Sequence, residues 1–163
     1  HAGEYGAVRI YQGQLDALKK QPQKTTQNAL KAIEHMLAQE KEHLHYFNNK
    51  ISTTNTRPTL WMGLWHHVGY GLGFISATLG SKHAMACTIA VEDEIVDHYQ
   101  NQIQALDANH HELATQINRF CLEELEHSEQ ATLHEGGEAK MFVPFYHVVR
   151  KASKLAIWLS ERF

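Results

Sequence analysis

The sequence predicts an all-α protein whose main helices form a four-helix bundle. Apolar residues recur at helical spacing in several long stretches, and strand-like alternation is nearly absent. Two of the three prolines fall at predicted helix boundaries. A chain of 163 residues suits one domain with a sizeable core, so we treat residues 1–163 as a single domain.

The first two predicted helices each carry a glutamate on an apolar face. The first helix, about residues 1–20, has a 4-3-4-3 spacing formed by Glu4, Val8, Tyr11, Leu15 and Leu18. The second helix, about 24–50, has a stripe formed by Leu30, Ile33, Leu37, Glu40, Leu44 and Phe47. Glu40 therefore lies within an apolar seam, where an unpaired carboxylate would be costly.

Residues 59–80 differ in character from the rest of the chain. These 22 residues contain no Asp, Glu, Lys or Arg, and they include five glycines and the aromatic residues Trp61, Trp65, Tyr70 and Phe74. The length would allow a membrane span, but the glycines and His66-His67 weaken that interpretation. We expect an apolar element that lies in a membrane interface or lines a lipid pocket. An ordinary buried helical hairpin is the alternative.

Three further helices complete the prediction. A helix at about 81–106, with Ser81 as its cap, has a stripe formed by Met85, Thr88, Glu92, Ile95 and Tyr99. A helix at about 108–132 has a stripe formed by Leu113, Ile117, Phe120, Glu124, His127 and Ala131. Gly136-Gly137 interrupts the pattern, and a last helix at 142–161 has Pro144 in its first turn.

Two Glu-x-x-His pairs, Glu40/His43 and Glu124/His127, predict a metal site. Residues i and i+3 share a helix face, so each pair can bind one ion. Glu4 precedes Glu40 by 36 residues, and Glu92 precedes Glu124 by 32 residues. These six residues reproduce the inward-facing ligand set of ferritin-like di-metal carboxylate bundles. Solvated helix faces are the alternative interpretation, which we accept for Lys41, Glu42, Glu123, Glu126 and Glu129.

The donor types indicate which metal is expected. Four carboxylates with two imidazoles suit iron or manganese, and the absence of thiolates from the set argues against structural zinc. Cys87 and Cys121 have no metal-binding spacing and are predicted to be buried free thiols. His98 and Tyr99 follow Glu92 on the same helix and are candidate proton or electron relays. A structural role for Tyr99 in the core is the alternative.

Composition excludes some functions. The formal net charge of −3 shows no basic excess, so we expect no nucleic-acid partner, and a tRNA hydroxylase is disfavoured. The run Gly69-x-Gly71-x-Gly73 lacks the preceding strand of a dinucleotide fingerprint. Electrons for a redox reaction would therefore come from an external reductase or from NADH without a dedicated domain.

Stretches from the whole length of the chain match one protein family. They are His1–Ala7, Gln39–Leu44, Arg57–Thr59, Ala84–Thr88, Ala90–Glu92, His98–Ile103, Glu123–His127 and Trp158–Arg162. Together they strongly resemble the Coq7 family, the demethoxyubiquinone hydroxylases. The resemblance implies a ferritin-like di-iron monooxygenase that uses O2 to hydroxylate the ring of demethoxyubiquinol in ubiquinone biosynthesis. It further implies that Glu40 and Glu124 bridge two irons, Glu4 and Glu92 are terminal ligands, and His43 and His127 each bind one iron.

The resemblance also implies partners and a location. They are a polyprenylated quinol, O2, a membrane surface and a Coq9-like lipid-binding protein, and a homo-oligomer stays open. The location would be the cytoplasmic side of a bacterial inner membrane or the matrix side of the mitochondrial inner membrane. An apolar entrance for the quinol would be formed by residues 59–80, with help from Phe145, Trp158 and Leu159.

Two other functional classes would use the same ligands. A ferritin-like iron-storage or peroxide-scavenging protein is the first alternative, but it would not explain the uncharged segment 59–80. A non-catalytic membrane-assembly module that keeps its metal for folding is the second. Detergent dependence separates the ferritin-like alternative from the hydroxylase, and oxygen consumption with a quinol separates the non-catalytic module from it.

Overall fold

The computed structural model describes residues 1–21, 23, 25–54, 56–134 and 143–162. All regular secondary structure within these ranges is helical, which confirms the all-α prediction. The helices are α1 (Ala2–Lys19), α2 (Gln27–Thr53), α3 (Met62–Thr78), α4 (Ser81–Ala105), a 3₁₀ helix (Ala108–His110), α5 (His111–His134) and α6 (Val143–Ser160). Gly136-Gly137 lies outside the described residues, so the predicted break there is not tested.

The helix starts have identifiable local causes. Thr26 caps α2, because its hydroxyl accepts a hydrogen bond from the backbone N–H of Ala29 at 3.1 Å. Gly80 occupies the N-cap position of α4 with a φ of 113°, a backbone conformation that favours glycine. The prediction that Ser81 caps α4 is therefore wrong, since Ser81 is already the first helical residue. Pro144 lies in the first turn of α6, as predicted.

Four helices form a closed ring around the core. α1 contacts α2 and α4, and α5 contacts the same two helices from the other side. The largest fully buried apolar side chains come from α1, α2 and α4, namely Tyr11, Leu18, Ile33, Met36 and Met85. The remaining two helices, α3 and α6, lie outside the ring, and each contacts both α1 and α4.

Glycines allow α3 to approach α1 very closely. A Cβ atom on Gly73 would lie 1.9 Å from the backbone oxygen of Ile10, and one on Gly13 would lie 2.2 Å from the backbone oxygen of Tyr70. We predicted that the glycines of residues 59–80 disfavour a membrane span, but the sequence did not reveal that Gly73 and Gly13 lie at a helix–helix contact. The packing buries only one face of α3.

The other face of α3 exposes apolar side chains. They are Leu64, Val68 and Ile75, with Leu60, Trp61 and Leu79 just outside the helix ends. Residues 62–78 form a single helix, so the alternative of a buried hairpin does not hold. Within the described residues, no helix is long and apolar enough to cross a membrane.

Candidate metal centre

The four ring helices place six polar side chains at one point of the core. α1 contributes Glu4, α4 contributes Glu92, and α2 and α5 each contribute one Glu-x-x-His pair. Each of the six is at most 1% exposed, and they are Glu4, Glu40, His43, Glu92, Glu124 and His127. The spacing i, i+3 on two neighbouring helices produces this convergence because both residues of a pair point to the same side of the helix. All six predicted ligands therefore meet.

The distances divide the cluster into two overlapping groups. His43 Nδ1 lies 3.0 Å from Glu124 Oε1, 3.4 Å from Glu4 Oε2 and 4.0 Å from Glu40 Oε2. His127 Nδ1 lies 3.0 Å from Glu124 Oε2 and 3.3 Å from Glu40 Oε1. In each group, all the candidate ligand atoms lie within 4.8 Å of one another. Glu40 and Glu124 belong to both groups, whereas Glu4 belongs only to the first and Glu92 only to the second.

Several oxygens of this cluster have no hydrogen-bond partner. They are Glu4 Oε2, both carboxylate oxygens of Glu40, and Glu92 Oε2. A buried carboxylate oxygen without a partner is costly, because burial removes its hydration without replacement. One or more cations between the two histidines would supply the missing interactions. The residues present therefore fit a pair of oxygen-preferring metal ions.

Burial and close packing of these charged groups also shift their pKa values. Burial and the charge of Glu124 raise the pKa of Glu40 and of Glu92 well above the ordinary value. Burial would also raise the pKa of Glu124, but its hydrogen bonds with His127 and His43 outweigh burial and lower the pKa to about 2. Burial would lower the pKa of His43, but the hydrogen bond with Glu124 and the nearby carboxylate of Glu4 raise it to about 10. In the metal-free protein, these shifts favour the protonated forms of Glu40, Glu92 and His43, which reduces the negative charge of the cluster.

Two tyrosines bind the carboxylates that belong to only one group. Tyr99 Oη donates a hydrogen bond to Glu4 Oε1, and Tyr11 Oη donates one to Glu92 Oε1. We predicted a candidate role for Tyr99 but assigned Tyr11 only to the core stripe. The missed signal is spacing, since Tyr11 follows Glu4 by seven residues as Tyr99 follows Glu92.

His98 lies away from the six residues. Its ring is half-buried, and its Nδ1 is 3.6 Å from Glu161 Oε1. Burial lowers the pKa of His98, although Glu161 opposes this. His98 is next to Tyr99 in the sequence, and Tyr99 binds Glu4 of the cluster. The polar partner of the His98 ring is Glu161 and not one of the six residues.

The outer nitrogens of both histidines also have partners. His43 Nε2 lies 2.6 Å from Glu123 Oε2, and His127 Nε2 lies 3.0 Å from Gln39 Oε1. We expected Glu123 to be part of a solvated face, and this expectation is wrong because the side chain is only 21% exposed. Its bonds with His43 and Arg119 lower the pKa of Glu123 although burial opposes this.

Two cavities lie beside the start of α1, and the first of them adjoins the cluster. The first, of about 320 Å³, has Glu4, His98 and Tyr99 in its wall together with the basic residues Lys50 and Arg57. The second, of about 280 Å³, is lined almost entirely by apolar groups of α1, α3, α4 and α6. Ala2, Gly3 and Ile95 line both cavities, so the two meet beside the start of α1.

Both cysteines are free and buried, as predicted. Cys87 lies on α4 and Cys121 on α5, and neither belongs to the carboxylate–histidine cluster. Burial raises the pKa of the Cys87 thiol to about 12.

The fold and the site define an all-helical protein with a buried carboxylate–histidine cluster that could hold metal ions. The family model described as "Ubiquinone biosynthesis protein COQ7" matches residues 1–160, and the chain belongs to this family. The resemblance of the sequence motifs to that family is confirmed.

Named relatives cover nearly all of the chain. The "NADPH-dependent 3-demethoxyubiquinone 3-hydroxylase, mitochondrial" of Dictyostelium discoideum is 42% identical over 165 residues, which is 99% of this chain and 73% of the relative. The "3-demethoxyubiquinol 3-hydroxylase" of Rhodospirillum rubrum is 42% identical over 99% of this chain and 74% of the relative. A human relative, also named as an NADPH-dependent mitochondrial 3-hydroxylase, is 40% identical over the same shares.

Proposed function

We propose that this protein is an O2-dependent di-iron monooxygenase that hydroxylates the ring of demethoxyubiquinol in ubiquinone biosynthesis. The main observation in support of this proposal is the buried cluster of four carboxylates and two histidines, several of whose carboxylate oxygens have no hydrogen-bond partner. The names of its relatives supply the substrate class. Two reduced irons would supply electrons and activate O2 when bound.

The six residues have distinct roles in this proposal. Glu40 and Glu124 would bridge the two irons, because each lies in both groups of ligand atoms. Glu4 with His43 would complete one iron site, and Glu92 with His127 would complete the other. This division supports a ferritin-like arrangement of the ring helices, with α3 and α6 as additions to the same domain.

Tyr99 is proposed as a proton relay between the cluster and the larger cavity. Tyr99 lines the larger cavity, and its hydroxyl donates a hydrogen bond to Glu4, which lines the same cavity. Burial and the charge of Glu4 raise the pKa of Tyr99 well above its ordinary value, so the hydroxyl keeps its proton and donates a hydrogen bond to the Glu4 carboxylate. His98, which lines the same cavity, is the proposed second member of this relay.

The cavities suit the two parts of a polyprenylated quinol. The aromatic head would lie in the larger cavity beside Glu4 and Tyr99, where polar groups can bind its hydroxyls. The prenyl tail would lie in the apolar cavity and leave between α3 and α6, where Val68 and Leu155 both line the cavity and are exposed. Trp65 and Leu159 also line this cavity, which supports the expected entrance.

The exposed apolar face of α3 and α6 supports docking on a membrane surface. Its α6 members are Val148, Leu155 and Trp158. Exposed apolar residues in such number on two neighbouring helices are typical of proteins that bind membranes or partners. Peripheral membrane attachment, on the cytoplasmic side of a bacterial inner membrane or the matrix side of the mitochondrial one, is therefore part of the proposal. The mitochondrial names of several relatives favour the second location.

The electron source is proposed to be a reduced nicotinamide nucleotide or an external reductase. The word "NADPH-dependent" in the relatives' names supports the nucleotide. A Coq9-like lipid-binding partner and a homo-oligomer stay as predictions from the resemblance.

Turnover tests the function. Iron-loaded protein would receive NADH or NADPH and a short-chain demethoxyquinone, while O2 consumption and product mass are followed. The hydroxylase predicts that the quinone gains one oxygen atom only when iron, O2 and reductant are all present. Iron that is oxidised and accumulates while the quinone is unchanged would instead support iron storage.

A further inference from the structure

The two histidines of the cluster are held from outside by different chemical groups. The ring N–H at Nε2 of His43 donates to the carboxylate of Glu123, and the corresponding N–H of His127 donates to the amide oxygen of Gln39. Glu123 directly precedes Glu124, and Gln39 directly precedes Glu40. Each partner therefore comes from the helix that carries the opposite Glu-x-x-His pair, at an equivalent position.

The inner nitrogens of the two histidines are the candidate ligand atoms. In both residues Nδ1 faces the carboxylates, at 3.0 Å from Glu124 in each case. A metal ion would therefore take the place of a proton at Nδ1 while the N–H at Nε2 keeps its outer partner. Such outer partners fix the ring orientation and raise the basicity of the ligand nitrogen.

Glu123 is expected to hold His43 more strongly than Gln39 holds His127. A carboxylate acceptor forms a charge-assisted hydrogen bond, which is about twice as strong as a bond to a neutral amide. The shorter distance at His43, 2.6 Å against 3.0 Å, agrees with this. Arg119 Nε donates to Glu123 Oε1 at 2.9 Å and so keeps the other carboxylate oxygen directed at His43.

A second, independent difference separates the two metal positions. Glu4, which belongs to the His43 group, lines the larger cavity, whereas Glu92 and His127 line neither of the two cavities described above. The ring of His43 also packs against Phe120 with a centroid distance of 4.0 Å, which fixes its orientation further. The more firmly held histidine thus belongs to the position that faces the cavity.

We propose that Glu123 is a positioning residue that makes the His43 position the tighter of two inequivalent metal positions. Gln39 is its weaker counterpart at His127. The inference rests on the proposed function only in that it requires the cluster to bind two ions. It does not depend on turnover, and an inactive protein could still satisfy it.

Cobalt(II) binding tests the proposal, because cobalt replaces iron in oxygen–nitrogen sites and has a visible absorption spectrum. Metal-free protein is titrated with Co²⁺ in the absence of O2. The wild type is expected to fill in two steps with different affinities and different spectra. Glu123→Gln should weaken the first step about 10- to 100-fold, and Gln39→Glu should tighten the second. The double exchange, Gln39→Glu with Glu123→Gln, should reverse the order of the two spectra.

Control variants separate positioning from a general structural effect. Glu126→Gln changes an exposed carboxylate on the same helix without touching the cluster, so its titration should match the wild type. Arg119→Gln should weaken the first step less than Glu123→Gln does. Gain of affinity in Gln39→Glu cannot result from poor folding.

The outcomes are distinct. Two steps of equal affinity in the wild type, or a titration unchanged by both single variants, would overturn the inference while the di-metal site stands. Binding of fewer than two ions would overturn the inference and the proposed di-iron function together.

Discussion

Tyr11 and Tyr99 form a reciprocal pair across the carboxylate–histidine cluster: each donates a hydrogen bond to the carboxylate that lies seven residues before the other. Tyr11 on α1 binds Glu92 on α4, and Tyr99 on α4 binds Glu4 on α1. Burial, together with the charge of the bound glutamate, raises the pKa of both tyrosines well above the ordinary value. Each hydroxyl therefore stays protonated and holds one carboxylate in place.

Comparison of the two tyrosines distinguishes a proton-relay role of Tyr99 from a purely structural role in holding a carboxylate. Tyr11→Phe and Tyr99→Phe each remove one bond to a carboxylate, at a cost of about 1–3 kcal/mol, so both should weaken metal binding to a similar extent. Only Tyr99 lines the larger cavity, so only Tyr99→Phe should also lower kcat in fully metal-loaded protein. Equal kcat values for the two variants would argue against a relay.

The shared carboxylate Glu124 should be indispensable. Glu124→Ala removes the carboxylate that lies 3.0 Å from Nδ1 of both histidines, so the variant should lose bound iron and all turnover. Iron content per chain is measured after reconstitution, and circular dichroism reports whether the helices persist. Glu126→Ala, on the exposed side of α5, should retain iron. An active Glu124→Ala protein with full iron content would disprove the assigned site.

Metal-free protein should lose stability as the pH rises. The folded-state pKa of His43 is about 10, above its ordinary value of 6.5, so its contribution is fully present below pH 6.5 and disappears as the pH approaches 10. Urea unfolding at several pH values should show a decrease of the order of 3 kcal/mol over this range. His43→Gln should flatten this slope. A wild-type stability that is independent of pH between these values would contradict the charge assignment.

Close packing of α3 against α1 should require glycine at single positions such as Gly73. Gly73→Ala places a methyl group 1.9 Å from the backbone oxygen of Ile10, so the helices must separate, at a cost of about 2 kcal/mol or more. Gly71→Ala is the matched control in the same helix, because nothing lies within 4 Å of its Cβ position. That variant should gain about 0.5–1 kcal/mol from helix propensity. Thermal unfolding compares the two, and equal melting temperatures would refute the contact.

Membrane binding should follow the apolar face of α3 and α6. Leu64→Ser combined with Leu155→Ser removes two exposed leucines from this face and should reduce co-sedimentation with liposomes, while metal content stays unchanged. Leu133→Ser on α5 is the control, since Leu133 is 84% exposed but lies on a helix outside that face. A greater loss of binding in the control would assign the membrane surface to α5.

Helical periodicity was sufficient to predict the ring helices and the burial of the six carboxylate and histidine side chains, because a charged residue within an apolar stripe stands out in the sequence. Contacts between helices were harder to predict. The role of Tyr11 and the outer partners Gln39 and Glu123 depend on how the helices are rotated against each other. Likewise, the close approach at Gly13 and Gly73 follows from the position of α3, which residues 59–80 do not specify by their composition.

The most direct test of the central claim is a single turnover with isotopically heavy O2. Iron-loaded protein is reduced, freed of excess reductant, and mixed with a short-chain demethoxyquinol and the labelled gas. The expected product is hydroxylated and carries one heavy oxygen atom, whereas Glu124→Ala is expected to form no product. Quinol that is recovered without added oxygen while the iron becomes ferric would contradict the claim that this centre hydroxylates the ring.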